Sequence, residues 1–396
     1  MRVLLIDVNC KYSSTGKIVY SLYEGLRENG HEVAICYGRG TKIDEPGICK
    51  FGLDWETVIH AGLARLTGLN GYFSPFSTKR LIRFIEKFEP DVIHIHELHA
   101  YFVNFIPLLE YIKRKGIKVV WTFHCEYMYT GKCGHAYNCR NYQANCGDCP
   151  SVRDYPKSLV FDRTEKMLAD KKRILEDWDF TIVTPSQWLK DRVKTSCLAN
   201  KRIELVHNGI DTSVFFPRDA FDLLRKRGLG DRKIVLSVAP NIMDEKKGGK
   251  KVLEISQFPE MRNHQFVLVG AEEDCRPYDN VLVLKQTKDQ DELAQWYSAA
   301  DVFLICSKRE NFPTTCLEAF CCGTLVAGID DGGTKETVPA PYGVFVKDST
   351  PSHLAKAVGN QLELAIPRDR IAKAAAQLYS QQVMCNAYER ILNQQL

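Results

Sequence analysis

DVFLICSKRENFPTTCLEAFCCG, residues 301–323, reads as a strand, a loop and a helix in succession. The apolar run DVFLICS (301–307) is a buried strand, and SKREN leaves it as a loop. Pro313 punctuates the loop, and Thr314 or Thr315 can N-cap the helix that opens TCLEAFCCG. A strand that runs through a short loop into a helix is the repeating step of a doubly wound α/β sheet.

In such sheets ligands collect beyond the carboxyl ends of the strands. Helix N-termini there offer free N–H groups to anions, so a phosphate is favoured near Thr314 to Leu317. Glu310 and Glu318 flank that position and would repel phosphate, so the carboxylates serve a different partner. Sugar hydroxyls fit, since hydrogen bonds to a charged acceptor are worth about 1.5–3 kcal/mol each. A diphosphate with a sugar at each end, a nucleotide sugar, satisfies the layout. On spacing alone the alternative is a solvated loop glutamate and a surface helix glutamate.

The same grammar extends in both directions. Strand candidates in the first half are 2–8, 32–37, 91–96, 118–124, 180–186 and 203–208. In the second half they are 233–240, 265–270, 281–287, 301–307, 324–330 and 343–348. These are continuous Val- and Ile-rich runs, as strands covered on both faces require. Helical patterns lie between them, such as 17–29 and 77–88. The latter carries Leu81, Ile82, Phe84, Ile85 and Phe88 on one stripe. The expected architecture is two doubly wound α/β domains. Residues 1–205 form the first and 206–375 the second, with a helical tail over 376–396 that breaks near Ser380.

Composition agrees. A chain of 396 residues, 45% apolar, exceeds the roughly 250–300 residues at which single cores stop growing. A net charge of +4 does not indicate nucleic-acid binding. Met1 and Arg2 lead straight into the first strand, and no apolar run reaches the roughly 20 residues that span a bilayer. The expected place is the cytoplasm or the cytoplasmic face of its membrane. Fifteen cysteines, an odd number without an export signal, argue against a disulfide framework.

Glu310-Asn311-Phe312-Pro313-Thr314-Thr315-Cys316-Leu317-Glu318 resembles the E-x7-E signature of the retaining glycosyltransferases of family 4. Ser13 to Gly16 resembles that family's N-terminal glycine loop, Gly30 to Val33 the turn after its helix, and Asn208 to Asp211 the interdomain motif. Gly332-Gly333 with Glu336 resembles the late glycine motif, and Tyr379, Ser380, Met384 and Tyr388 the last helix. The resemblance spans nearly the whole chain and is nearest the branch that builds capsular and exopolysaccharides. It implies the GT-B fold, two Rossmann-like domains with an interdomain cleft, whose last helix crosses back to the first domain. It implies that Glu310 holds the donor sugar, Glu318 the ribose, and the loop and helix start from Asn311 to Thr315 the rest of the donor.

Ala239 to Gly248 resembles the family's cationic loop, and Lys247 matches its lysine. That cation would neutralise the leaving diphosphate. The family arginine is absent: Asn241 lies closest to its place. Lys246 is the candidate substitute, with a solvated charge as the alternative, and a point charge does not reproduce a bidentate fork. Gly16 permits close backbone approach. His124 ends the strand KVVWTFH, where family members carry a histidine near the transferred sugar. Cys125 stands where aspartate commonly follows. His96, Glu97 and His99, at the end of another strand, are candidates for the acceptor side. His94 shares a face with His96.

Cys133, Cys139, Cys146 and Cys149 form a Cys-rich insertion over 133–149. Cys146-Gly-Asp-Cys149 is a good half of a structural zinc site, with free thiols or disulfide pairing as alternatives. The basic and aromatic stretches 71–88 and 111–118 can rest on anionic lipid or simply pack on the sheet. The reading is therefore a transferase that moves a sugar from a nucleotide donor to a glycan or lipid-linked acceptor. The resemblance implies no cofactor required for catalysis, and the small net charge implies no nucleic-acid partner. A nucleotide-sugar epimerase and a non-catalytic glycan-binding scaffold are the alternatives.

Overall fold

The computed structural model describes residues 1–287 and 289–395. Leu396, the last residue of the expected tail, lies outside the described residues. The chain divides into two compact units, Met1–His207 with Met384–Leu396, and Asn208–Val383.

Unit 1 is built on seven parallel strands: β1 (Arg2–Asp7), β2 (Glu32–Tyr37), β3 (Ile48–Lys50), β4 (Val92–Ile95), β5 (Lys118–Thr122), β6 (Thr181–Thr184) and β7 (Arg202–Leu205). Their order across the sheet is β3-β2-β1-β4-β5-β6-β7. Unit 2 holds β8 (Ile234–Val238), β9 (Gln265–Ala271), β10 (Cys275–Tyr278), β11 (Val281–Lys285), β12 (Val302–Ile305), β13 (Leu325–Ile329) and β14 (Gly343–Val346). Their order is β10-β11-β9-β8-β12-β13-β14, and among the described residues only β10 is antiparallel to its neighbour.

Apart from β10, both units follow one plan. The first strand lies in the middle, the second and third lie to one side, and the fourth and later strands to the other. This is the doubly wound architecture expected from the sequence. The order reverses between β1 and β4 in unit 1, and between β8 and β12 in unit 2. Helices above and below diverge at such a point and leave a crevice at the strands' carboxyl ends.

The central strands are buried on both faces, which explains their unbroken apolar runs. The helix Pro75–Phe88 buries Leu81 and Ile85, while Ile82, Phe84 and Phe88 pack partly buried against the same core. Ser380 adopts extended backbone between the helices Arg368–Tyr379 and Gln381–Asn393, and so breaks the tail. From Met384 onward the last helix belongs to unit 1. Cys385 lies against Gly25, and Glu389 pairs with His31 and Asn29. The Tyr388 hydroxyl meets Thr122 at 2.9 Å.

Candidate active site

In unit 2 the switch point gathers the sequence candidates from both sides. β12 ends at Ile305, and the loop beyond it carries Glu310. That backbone is fixed by a parallel bridge to Gly332 and by the Gly333 N–H, which donates to the Glu310 carbonyl at 2.9 Å. Gly332 has φ +69°, and a Cβ there would lie 2.1 Å from the Glu310 carbonyl oxygen, so only glycine lets the two loops meet. Before Glu310, Arg309 is held by Asp331 through its backbone N–H and its guanidinium.

From the neighbouring β8 comes the loop with Asn241, Lys246 and Lys247. Asn241 and Lys246 are exposed. Lys247 sits just before Gly248, the left-handed residue that starts the helix Gly249–Ser256. A Cβ on Gly248 would strike the Cys306 carbonyl at 2.4 Å, so this glycine seats the lysine loop directly against the end of β12. The outcome is an ion pair: Lys247 Nζ donates to Glu310 Oε1 at 2.7 Å, both side chains largely shielded.

The helix Thr314–Cys321 follows at once. Its N-cap residue is Pro313, which supplies no side-chain cap, and neither Thr314 nor Thr315 takes the capping position expected of them. Both threonines instead occupy the first turn. Asn311 and Phe312 are buried, and Asn208 Nδ2 donates to the Phe312 carbonyl at 3.4 Å. Glu318 is buried within the helix and accepts a 2.9 Å hydrogen bond from the Tyr297 hydroxyl. Neither glutamate is the solvated residue that spacing alone allows.

Unit 1 has its own cluster at the carboxyl ends of β1, β4 and β5. His96 Nδ1 and His124 Nε2 are 3.0 Å apart, with their rings stacked. His94 Nε2 meets Thr122 Oγ1 at 2.8 Å. Burial holds all three imidazoles below their ordinary pKa, that of His94 down to about 3. They are therefore neutral at pH 7, able to donate and accept but not to supply positive charge. Glu97 takes a 3.1 Å contact from His99 Nε2 and accepts from the Cys125 thiol at 3.4 Å.

Sequence reasoning passed over Asp7, whose Oδ1 accepts from the Glu97 N–H at 3.1 Å. Burial and the Glu97 charge raise its pKa to about 7. A carboxylate closing an apolar strand, as in LLID, is the signal that could have found it. Tyr297 and Asp331 carry no such mark. Gly16 lies in the first turn of the helix Ser13–Glu28, where a Cβ would press on the Asn9–Cys10 backbone at 3.3 Å.

Two groups of side chains could hold a metal. Among the described residues, Glu97, His99 and Cys125 offer ligand atoms that all lie within 4.8 Å of one another. The four cysteines of the insertion are not drawn together that closely. The Cys133 thiol bonds Cys149, whose pKa falls to about 7 through that bond, and Cys146 accepts from the Gly131 N–H at 3.3 Å. Two buried lysines, Lys132 and Lys171, face these thiols. Both lysines donate to backbone carbonyls, and burial lowers their pKa, that of Lys171 to about 7. Four cysteine sulfurs in one short segment are the donor set of a structural zinc, so the donor chemistry fits zinc.

The fold is that of the GT-B glycosyltransferases. A sucrose-phosphate synthase from Thermosynechococcus elongatus superposes with a TM-score of 0.69 at 18% identity, over 99% of this chain and 98% of that one. HepE from Anabaena, in complex with UDP-glucose, superposes with a TM-score of 0.68 at 13% identity over the full length of both chains.

Residues 15–214 match the model of Glycosyltransferase Family 4, and residues 224–378 match Glycosyl transferases group 1. The chain belongs to glycosyltransferase family 4. Over 98% of each chain it is 22% identical to WcaC of Escherichia coli (strain K12), a glycosyl transferase assigned to colanic acid biosynthesis. Among the described residues, no helix is long and apolar enough to cross a membrane.

Proposed function

We propose that this glycosyltransferase moves a sugar, with retention of configuration, from a nucleotide-diphosphate donor to a glycan or lipid-linked acceptor in cell-surface polysaccharide synthesis. The observation that carries the reading is the Lys247–Glu310 pair at the carboxyl ends of β8 and β12, beside a helix start with no side-chain cap. In this reading the diphosphate rests on Lys247 and on the first N–H groups of the helix Thr314–Cys321. Glu310 then exchanges part of its bond to Lys247 for the donor sugar's hydroxyls, and Glu318 takes the ribose. The full-length likeness to WcaC supports the polysaccharide pathway.

The bond from the anomeric carbon to the phosphate oxygen breaks as the acceptor oxygen bonds to that carbon on the same face. The acceptor's proton passes to the departing phosphate oxygen, and the nucleoside diphosphate leaves. Lys247 matters most at that moment, because charge builds on the leaving group. His96, Glu97, His99 and His124 are the acceptor-side groups, and the neutral imidazoles can orient a hydroxyl without attracting the donor. No catalytic metal enters this scheme. In the Cys-rich insertion we propose a closed, structural zinc on Cys133, Cys139, Cys146 and Cys149. The protein would work at the cytoplasmic face of the membrane, in peripheral contact with it.

The test is a panel of sugar nucleotides, read by thermal shift and by nucleoside diphosphate release with a lipid-linked acceptor. One donor should raise Tm and release its nucleotide with a new glycosidic product. Donor converted to an epimer without acceptor would replace this reading with the epimerase. No Tm shift and no release with any donor would replace it with a glycan-binding scaffold.

A further inference from the structure

The helix Asp54–Thr67 in unit 1 is built inside out. Its inward residues include Glu56, Thr57 and His60, all buried. Glu56 accepts from the backbone N–H groups of Phe76 and Ser77 at 2.8 Å and from the Ser77 hydroxyl. His60 Nδ1 meets the Ser74 hydroxyl at 2.8 Å, and its Nε2 accepts from the Gly71 N–H at 3.0 Å. These polar bonds clamp the helix in one rotation.

That rotation sends the apolar side outward. Trp55, Val58, Ile59, Leu63 and Leu66 are all exposed, Val58 by 72% and Leu66 by 55%. They recur at helical spacing on one face. Rotating the helix to bury them would break every bond just named, so their exposure is enforced.

Two further segments extend the face. Phe76 is exposed, and its ring packs 5.9 Å from that of Trp55. The loop residues Leu159, Val160 and Phe161 are also exposed, and the Leu159 N–H donates to the Arg65 carbonyl at 2.8 Å, which ties the loop to the end of the helix. A contiguous apolar patch drawn from three segments marks an interaction site.

Charge selects the occupant. Phe76 lies at the start of the helix Pro75–Phe88, and Lys79, Arg80 and Arg83 follow it at helical spacing, all exposed. Arg65, Lys157 and Arg163 add exposed cations beside the helix and the loop. An apolar face with an interfacial tryptophan and a basic rim is complementary to an anionic bilayer. A second copy of the chain fits poorly, since a two-fold pairing of this face would oppose one basic rim to another.

We propose that the outward face of Asp54–Thr67, with Phe76 and residues 159–161, docks on the headgroup region of an anionic phospholipid bilayer. This deepens the reading of a transferase working at a membrane face, by naming the surface, and the surface argument does not depend on the chemistry of transfer. Neither basic stretch singled out in the sequence is the centre of this surface: the first contributes Phe76 and part of the basic rim, and the second packs inward through buried Tyr111.

The test is flotation of the full chain with vesicles of phosphatidylglycerol and phosphatidylethanolamine, against vesicles of phosphatidylcholine alone. Wild type should float with the anionic vesicles and be released by high salt. Val58→Glu with Ile59→Glu should weaken binding about tenfold or more. Lys79→Ser with Arg83→Ser should weaken it about 25-fold at low salt. Donor-dependent nucleotide release, measured without vesicles, should be unchanged in both variants. Vesicle binding that fails to distinguish the variants from wild type overturns the proposal. So does wild type that ignores anionic vesicles, or that forms a dimer split by Val58→Glu with Ile59→Glu. Wild type that floats as expected but releases no nucleotide leaves the docking surface standing and removes the transferase reading alone.

Discussion

Lys247→Ala and Glu310→Gln separate a structural ion pair from a catalytic one. The two groups are 2.7 Å apart, but their side chains keep 34% and 22% of their exposure. Solvent screening therefore limits what the pair adds to folding, to about 0.5–1 kcal/mol. For a unit of this size that is a Tm decrease of only about 1–4 °C. In the proposed reaction the same groups would face a departing diphosphate and a sugar developing positive charge at the transition state. Loss of one preorganised partner there costs about 2–4 kcal/mol, or about 30- to 900-fold in kcat/KM. The assay is nucleoside diphosphate release at low donor concentration, with Tm measured on the same preparations. The double variant should lose less than the product of the single losses, because each residue organises the other. A kcat/KM within about threefold of wild type in both single variants would refute the assignment, as would losses that merely follow Tm.

Gly332→Ala should lower kcat/KM about tenfold or more, because its Cβ would sit 2.1 Å from the carbonyl oxygen that positions Glu310. Activity within twofold of wild type would show that this close approach is dispensable. His94 stays neutral in the folded chain down to about pH 3, whereas in the unfolded chain it takes a proton near pH 6.5. The unfolded state thus binds more protons through that window, and stability falls as pH is lowered. Between pH 7.5 and 5.5 wild type should lose about 1.4 kcal/mol more than His94→Gln in urea unfolding, and equal losses would refute the burial argument. Protein purified without metal-affinity steps should carry about one zinc per chain, and Cys149→Ser should lose it. Four titratable thiols with no zinc would sink that proposal.

Both sheets were legible because their central strands are covered on both faces and so are written as unbroken apolar runs. β3 and β10 were not. β3 has three half-buried residues at a sheet edge, and β10, CRPY, is exposed and contains a proline. The helix Asp54–Thr67 shows why periodicity falls short: it reveals an apolar stripe but not which way the stripe faces. Glu56 and His60 decide that, through partners that only the fold supplies.

The candidate site divides in the same manner. The strand-loop-helix around Glu310 and Glu318 is local and could be read from the sequence. The pairing of Glu310 with Lys247 is not local, since it depends on β8 lying next to β12. Tyr297, which bonds Glu318, comes from a helix that no spacing rule connects to the motif.

The return of the tail to unit 1 sets an order for the birth of the molecule. Val3, Val19 and Leu22 share their core with Met384, Cys385 and Tyr388, so β1 waits for a helix made some 380 residues later. On the ribosome the whole of unit 2 must be synthesised in between, on the order of ten seconds or more. The earlier-made unit is therefore the later one to be completed. A fragment ending at His207 would keep an apolar groove where the helix Gln381–Asn393 belongs, so residues Met384 to Leu392 govern the solubility of unit 1.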